Sequence, residues 1–150
     1  MTYMTEPSWG LPDPERDADL YADVPLKRAI AWVVDSILIF LMTLLVLPFT
    51  AFVGLLFYGA LWLSISFLYR TLTIAGGSAT LGMRLMSIQL RNARGERFGL
   101  ADAVVHTSIY MVCFSFFIPQ VISAVLMLSS SRGQGLSDLA LGSTALNRCR

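Results

Sequence analysis

Four side chains carry the chemistry that this sequence offers: Arg28, Asp35, His106 and Asp138. Asp35 is the single charge in residues 29–69, a run of 41 residues. An ionised carboxylate in hydrocarbon is expensive unless it is paired, hydrated or protonated. Two readings of Asp35 stay open, an ion-coordinating or proton-carrying group and a buried helix contact with a cation. Arg28 precedes it by seven residues, close to two helical turns, so the two share a face about 10.5 Å apart along the axis. That is too far for direct pairing. Arg28 reads as an interfacial cation with a buried stem, or as the partner of Asp138 or of an anionic headgroup. His106 falls one turn after Asp102, which suggests a local pair at a helix entry, with a proton relay as the alternative.

These groups do not assemble a nucleophile, a base and an orienting residue, so the expected protein is not an enzyme. Residues 75–82 end in Gly82 followed by Met83 and Arg84, where a phosphate-cradling loop needs Lys and then Ser or Thr. Two cysteines, Cys113 and Cys149, and one histidine make neither a disulfide framework nor a zinc site. Hence no catalytic residue, metal or cofactor is expected.

The elements that must position the four residues are membrane helices. Hydrophobic residues are 55% of the 150 and charged ones 14%; mean hydropathy is +0.65. That excludes a water-soluble domain. A net charge of +1 excludes a nucleic-acid partner. Since one crossing takes roughly 20 residues, residues 29–69 hold two, broken at Pro48. Spans are expected at about 28–47 and 51–69, with a third, tilted or kinked at Pro119, at about 103–128. The expected fold is all-α, a multi-pass transmembrane bundle of about three spans. Residues 84–91 alternate like a strand and Asn92-Ala93-Arg94-Gly95 supplies a turn, so a short cytoplasmic β-hairpin is expected between spans two and three.

Residues 1–24 are acidic and rich in proline, and read as a disordered tail without the basic start and apolar stretch of a secretory signal. Trp9 and Tyr21 within it read as solvated. Lys27 and Arg28 precede span one, and Arg70, Arg84, Arg91, Arg94 and Arg97 follow span two. The positive-inside rule then places the N-terminus and the 70–102 loop in the cytoplasm. Arg132, Arg148 and Arg150 favour the same side for the tail, while a single third crossing, preferred on length over a re-entrant 100–131 segment broken at Pro119, places it outside; the tail's side stays open.

The stretch Arg28-Ala29-Ile30-Ala31-Trp32-Val33-Val34-Asp35, the glycine-rich turn and basic loop over 77–95, and Gly135-Leu136-Ser137-Asp138 occur in that order. Together they resemble the RDD family of small bacterial membrane proteins, whose name records an Arg and two Asp; these correspond to Arg28, Asp35 and Asp138. The resemblance covers about residues 25–148. One departure is Leu141-Gly142-Ser143-Thr144, where the family's Ala-Gly-Thr gains a residue. The resemblance implies a multi-pass domain of the cytoplasmic (inner) membrane, proposed to act in transport, with cation/proton antiport suggested for some members. The expected function is transport of an ion or small ligand with Asp35 as the cation or proton site. A non-catalytic scaffold or assembly subunit is the alternative. Expected partners are the lipid bilayer and either further copies of the chain or another membrane protein.

Overall fold

The computed structural model describes residues 10–148 and is mainly helical. A single turn of helix, α1 (Ala18–Tyr21), leads to the long α2 (Val24–Val46). Pro25 in the first turn of α2 removes a donor that has no intrahelical partner there. At 23 residues α2 is roughly 35 Å long, enough to cross a bilayer core of roughly 30 Å. Its buried residues are Val24, Arg28, Ala31, Asp35, Ile39 and Thr43, a stripe at three- and four-residue spacing. The arrangement is inverted relative to a soluble helix. Charges lie on the buried stripe, and Val33, Ile37, Leu41 and Leu45 stay exposed. An apolar belt of this kind needs lipid, not water, as its surroundings.

Pro48 ends α2 in two short 3-10 turns, Leu47–Thr50 and Val53–Leu55. Helix α3 (Tyr58–Gly77) then returns along α2 and stops at Ser78, which takes a left-handed φ of 56°. The second span expected at 51–69 is thus displaced toward the C-terminus. Its first residues go into the turns, and the helix runs seven residues past Arg70, carrying that arginine inside.

The short α4 (Leu81–Leu85) starts at Thr80, whose hydroxyl accepts the Met83 N–H at 3.2 Å. Strand β1 (Ile88–Arg91) follows. Asn92 Oδ1 closes the next turn by accepting the N–H groups of Arg94 and Glu96, both at 3.0 Å. The expected hairpin is reduced to one bridge between Arg91 and Arg97. Instead β1 pairs antiparallel with β2 (Thr144–Asn147), Ile88 facing Asn147 and Arg91 facing Thr144. Ile88 and Leu90 are fully buried beside Ala145, so the long-range pairing covers an apolar face that a local hairpin would leave open.

The third span expected over 103–128 is two helices, α5 (Leu100–Ser115) and α6 (Phe117–Ser129), which meet at an extended Phe116 with a bend of 118°. Pro119 explains the break, because it is tolerated in the first turn of a new helix and not inside an old one. The pieces are roughly 24 Å and 20 Å long, each short of a bilayer core. After the bend the chain returns to the end where α2 begins, and α7 (Leu136–Leu141) and β2 pack there. The continuous third helix is therefore corrected to a bent pair. The apolar core, including Ile74, Ala79, Phe98 and Ala103, also lies at this end.

Within residues 10–24, expected to be part of a disordered tail, a few side chains and carbonyls are tied to the body of the protein while most of the segment stays exposed. Leu11 is buried, the Tyr21 hydroxyl donates to the Pro12 carbonyl at 2.8 Å, and Asn147 Nδ2 donates to the carbonyls of Asp19 and Ala22. Trp9 and Cys149 lie outside the described residues.

Candidate functional site

Two buried carboxylates organise the polar end of the molecule. The stripe of α2 presents Arg28 and Asp35 inward on the same side, and each is taken up by a different later segment.

Asp138 stands in the first turn of α7, where its carboxylate accepts the Gly135 N–H at 3.1 Å and so caps the helix. The same group faces Arg28 Nη1 at 2.5 Å, His106 Nε2 at 3.0 Å and the Ser143 hydroxyl at 3.3 Å. Arg28 also donates to the Gly133 carbonyl at 3.3 Å. Asp138 is fully buried. Burial alone would raise its pKa, but the Arg28 guanidinium and the His106 ring outweigh it and hold the carboxyl well below the usual carboxylate range. Arg28 therefore belongs to Asp138, and the tail lies on Arg28's side.

His106 does not pair with Asp102. The Asp102 carboxylate turns back to the Gly99 N–H at 3.3 Å, which frees the His106 ring to reach Asp138. Gly99-Leu100-Ala101-Asp102 and Gly135-Leu136-Ser137-Asp138 are the same helix-entry device used twice, and only the second carboxylate is buried with a cation.

Asp35 is held by the start of α4. Its carboxylate accepts the hydroxyls of Tyr69 and Thr80, both at 2.6 Å, and the Gly82 N–H at 2.9 Å. Arg70 Nη1 stands 3.9 Å from Oδ2, an ionic neighbour without a hydrogen bond. Gly82 has no alternative here, because a methyl group on it would collide with the Ala31 carbonyl oxygen and come within 2.9 Å of Asp35 Oδ1. Arg84 supports the same turn by donating to the carbonyls of Ala79 and Thr73.

Arg70 is the residue that sequence reasoning missed. Read as a loop cation, it is instead 7% exposed, with its guanidinium 4.5 Å from the centre of the Tyr110 ring. Tyr110 is itself fixed by Trp32, whose Nε1 donates to its hydroxyl at 2.8 Å. The signal was present in Thr71-Leu72-Thr73-Ile74-Ala75, an uncharged continuation that keeps Arg70 inside the helix and not at its end.

Both clusters open on one cavity of about 500 Å³ between α2, α3, α5 and α6. Arg28 and His106 stand on its wall, as do Asp35 and Arg70; the remaining lining is mostly apolar, with Gln120 and Ser123 from α6 as further polar groups. All four residues singled out from the sequence thus lie at or beside one space, Asp138 being behind Arg28 and His106. Among the described residues no group of His, Cys, Asp and Glu is arranged to hold a metal ion.

The sequence model described as the RDD family matches residues 23–142, which include both buried carboxylates, their cations and every helix around the cavity. No curated protein and no solved structure matches the chain.

Proposed function

The chain belongs to the RDD family of membrane proteins, and from that premise we propose that it admits an ion or small ligand from the membrane into the cavity between α2, α3, α5 and α6. One observation carries this reading: two buried cation–carboxylate clusters share the wall of one largely apolar cavity. Buried charges inside a lipid-facing bundle are expensive, and proteins of this kind place them where a substrate or proton passes. Asp35 is the exchanging carboxylate in this reading, because its cation stands at 3.9 Å while that of Asp138 is in direct contact. In proteoliposomes, proton or monovalent-cation flux down an imposed gradient is expected with the wild-type chain and is expected to vanish in Asp35→Asn at unchanged incorporation. Wild-type flux no greater than that of empty vesicles would overturn the reading.

Helices α2 and α3 cross the cytoplasmic membrane in this proposal, and α5 and α6 enter from the cytoplasmic side, turn at Phe116 and leave on that side. Lys27, Arg84, Arg91, Arg94, Arg97 and Arg132 then all lie on the cytoplasmic side, as the positive-inside rule prefers. A reporter fused after residue 150 is expected to read as cytoplasmic, together with one at the N-terminus. A periplasmic signal would sink this topology. Because α5 and α6 stop short of the far side, the bundle is completed by a second copy or by another membrane protein.

A second reading, an assembly scaffold, draws on a separate fact. Each carboxylate already accepts at least three hydrogen bonds from the chain itself, as in polar groups that fix helix packing. Absent flux together with loss of assembly in Asp35→Asn would favour it.

A further inference from the structure

The two buried arginines are not equally satisfied. Arg28 contacts Asp138 directly and also donates to the Gly133 carbonyl. Arg70, with five donors of its own, has one ionic neighbour at 3.9 Å, an aromatic face at 4.5 Å and an Nε without a hydrogen-bond partner. Asp35 does not relieve it: Tyr69 and Gly82 both donate to Oδ1, and Oδ2, held by Thr80 at 2.6 Å, stays 3.9 Å from Arg70 Nη1, beyond hydrogen-bond distance. A guanidinium in this condition, beside an open space of about 500 Å³, is short of an anion.

The shape of the cavity says what kind. Its walls are mainly apolar, and its lining includes Val33 of α2 and Ala124 and Leu128 of α6, all exposed on the lipid-facing belt. Helix α6 packs mainly on α5 and α7, and exposed side chains of both α2 and α6 line the cavity between them. Thr107, a second buried lining residue, has a hydroxyl without a partner.

We propose that the cavity binds an anionic amphiphile drawn from the bilayer, its phosphate or carboxylate head on Arg70 and its hydrocarbon chain leaving through the opening between α2 and α6. The head competes with Asp35 for Arg70, and the chain replaces lipid contacts with the apolar lining. This identifies the ligand of the cavity under the reading given above.

Equilibrium titration of the purified full chain in neutral detergent tests it, with protein-free micelles as the blank and dodecyl phosphate as the probe. Dodecanol supplies the chain without the charge, and inorganic phosphate the charge without the chain. Dodecyl phosphate is expected to bind at least about tenfold more tightly than either, the range of one charge-assisted hydrogen bond. Arg70→Gln is expected to weaken dodecyl phosphate by about tenfold to hundredfold and to leave dodecanol unchanged. Ala124→Trp adds bulk to the cavity wall from an exposed position on α6, a different helix from Arg70, and is expected to abolish binding while the unfolding midpoint is retained. Equal binding of dodecanol, equal binding of inorganic phosphate, or full binding by Ala124→Trp would each overturn the proposal. Flux in proteoliposomes without amphiphile binding defeats this proposal alone. Amphiphile binding without flux defeats transport and leaves the amphiphile site standing.

Discussion

Asp138→Asn is expected to destabilise the protein by about 3–5 kcal/mol, the range for a buried ion pair that loses one member. The change is nearly isosteric, so packing is preserved while Arg28 keeps its charge in a site that is 9% exposed. The carboxamide still offers one oxygen, but it cannot serve the Gly135 N–H, Arg28 and His106 together. Thermal unfolding in a mild detergent measures the loss. In a double-mutant cycle, Arg28→Met combined with Asp138→Asn is expected to lose less than the sum of the two single changes. Strict additivity, or a single loss below about 1 kcal/mol, would show that the contact contributes nothing specific.

The same group fixes a pH response. Its folded pKa lies below the unfolded one, so its contribution is fully present above the ordinary carboxylate range and is lost as pH falls below about 4 toward the folded value. Acid unfolding of the wild type is therefore expected to steepen below that point. Asp138→Asn, already without the contribution, is expected to show a flatter acid limb.

Gly82→Ala is the second large effect. The first turn of α4 rests on the backbone of α2, and an added methyl meets the Ala31 carbonyl, which cannot swing aside as a side chain would. Moving α4 outward breaks the Gly82 N–H bond to Asp35 and weakens that of Thr80, leaving a 1% exposed carboxylate short of donors. Overpacking together with an unsatisfied charged group amounts to about 3–5 kcal/mol. Gly59→Ala in α3 is the control. Nothing lies within 4 Å of a methyl there, so it is expected to be neutral or to stabilise by about 0.5–1 kcal/mol. If the two alanine variants unfold at the same midpoint, the close approach of α4 to α2 is not a determinant of stability.

Much of this was legible beforehand. The 3.6-residue repeat put Arg28 and Asp35 on one face too far apart to pair, and they are found on one stripe with different partners. What stayed hidden depends on segments distant in sequence. Asp138 is joined to Arg28 across 110 positions, and Pro119 marked an interruption in the third run without stating how sharply the chain bends at Phe116. Of the strand expected over 84–91 only Ile88–Arg91 is found, buried without alternation, because Arg84 and Leu85 belong to α4. Its partner was not legible, because strand pairing is selected by which faces need covering, and that is decided by α4, α5 and α7 together. Arg70 was misplaced for a simpler reason: a cation after a long apolar run marks a boundary by habit, and here the helix carries it inward.

The pairing of Arg28 with a residue so much later has a consequence for synthesis. At roughly 5–20 residues per second, a ribosome delivers Asp138 about 5–20 s after Arg28 has emerged. Throughout that interval the nascent chain holds an uncompensated guanidinium at the edge of its first hydrophobic helix, and β1 lies without the strand that covers it. Translation stalled in this window would leave both groups uncovered until the last segment emerges.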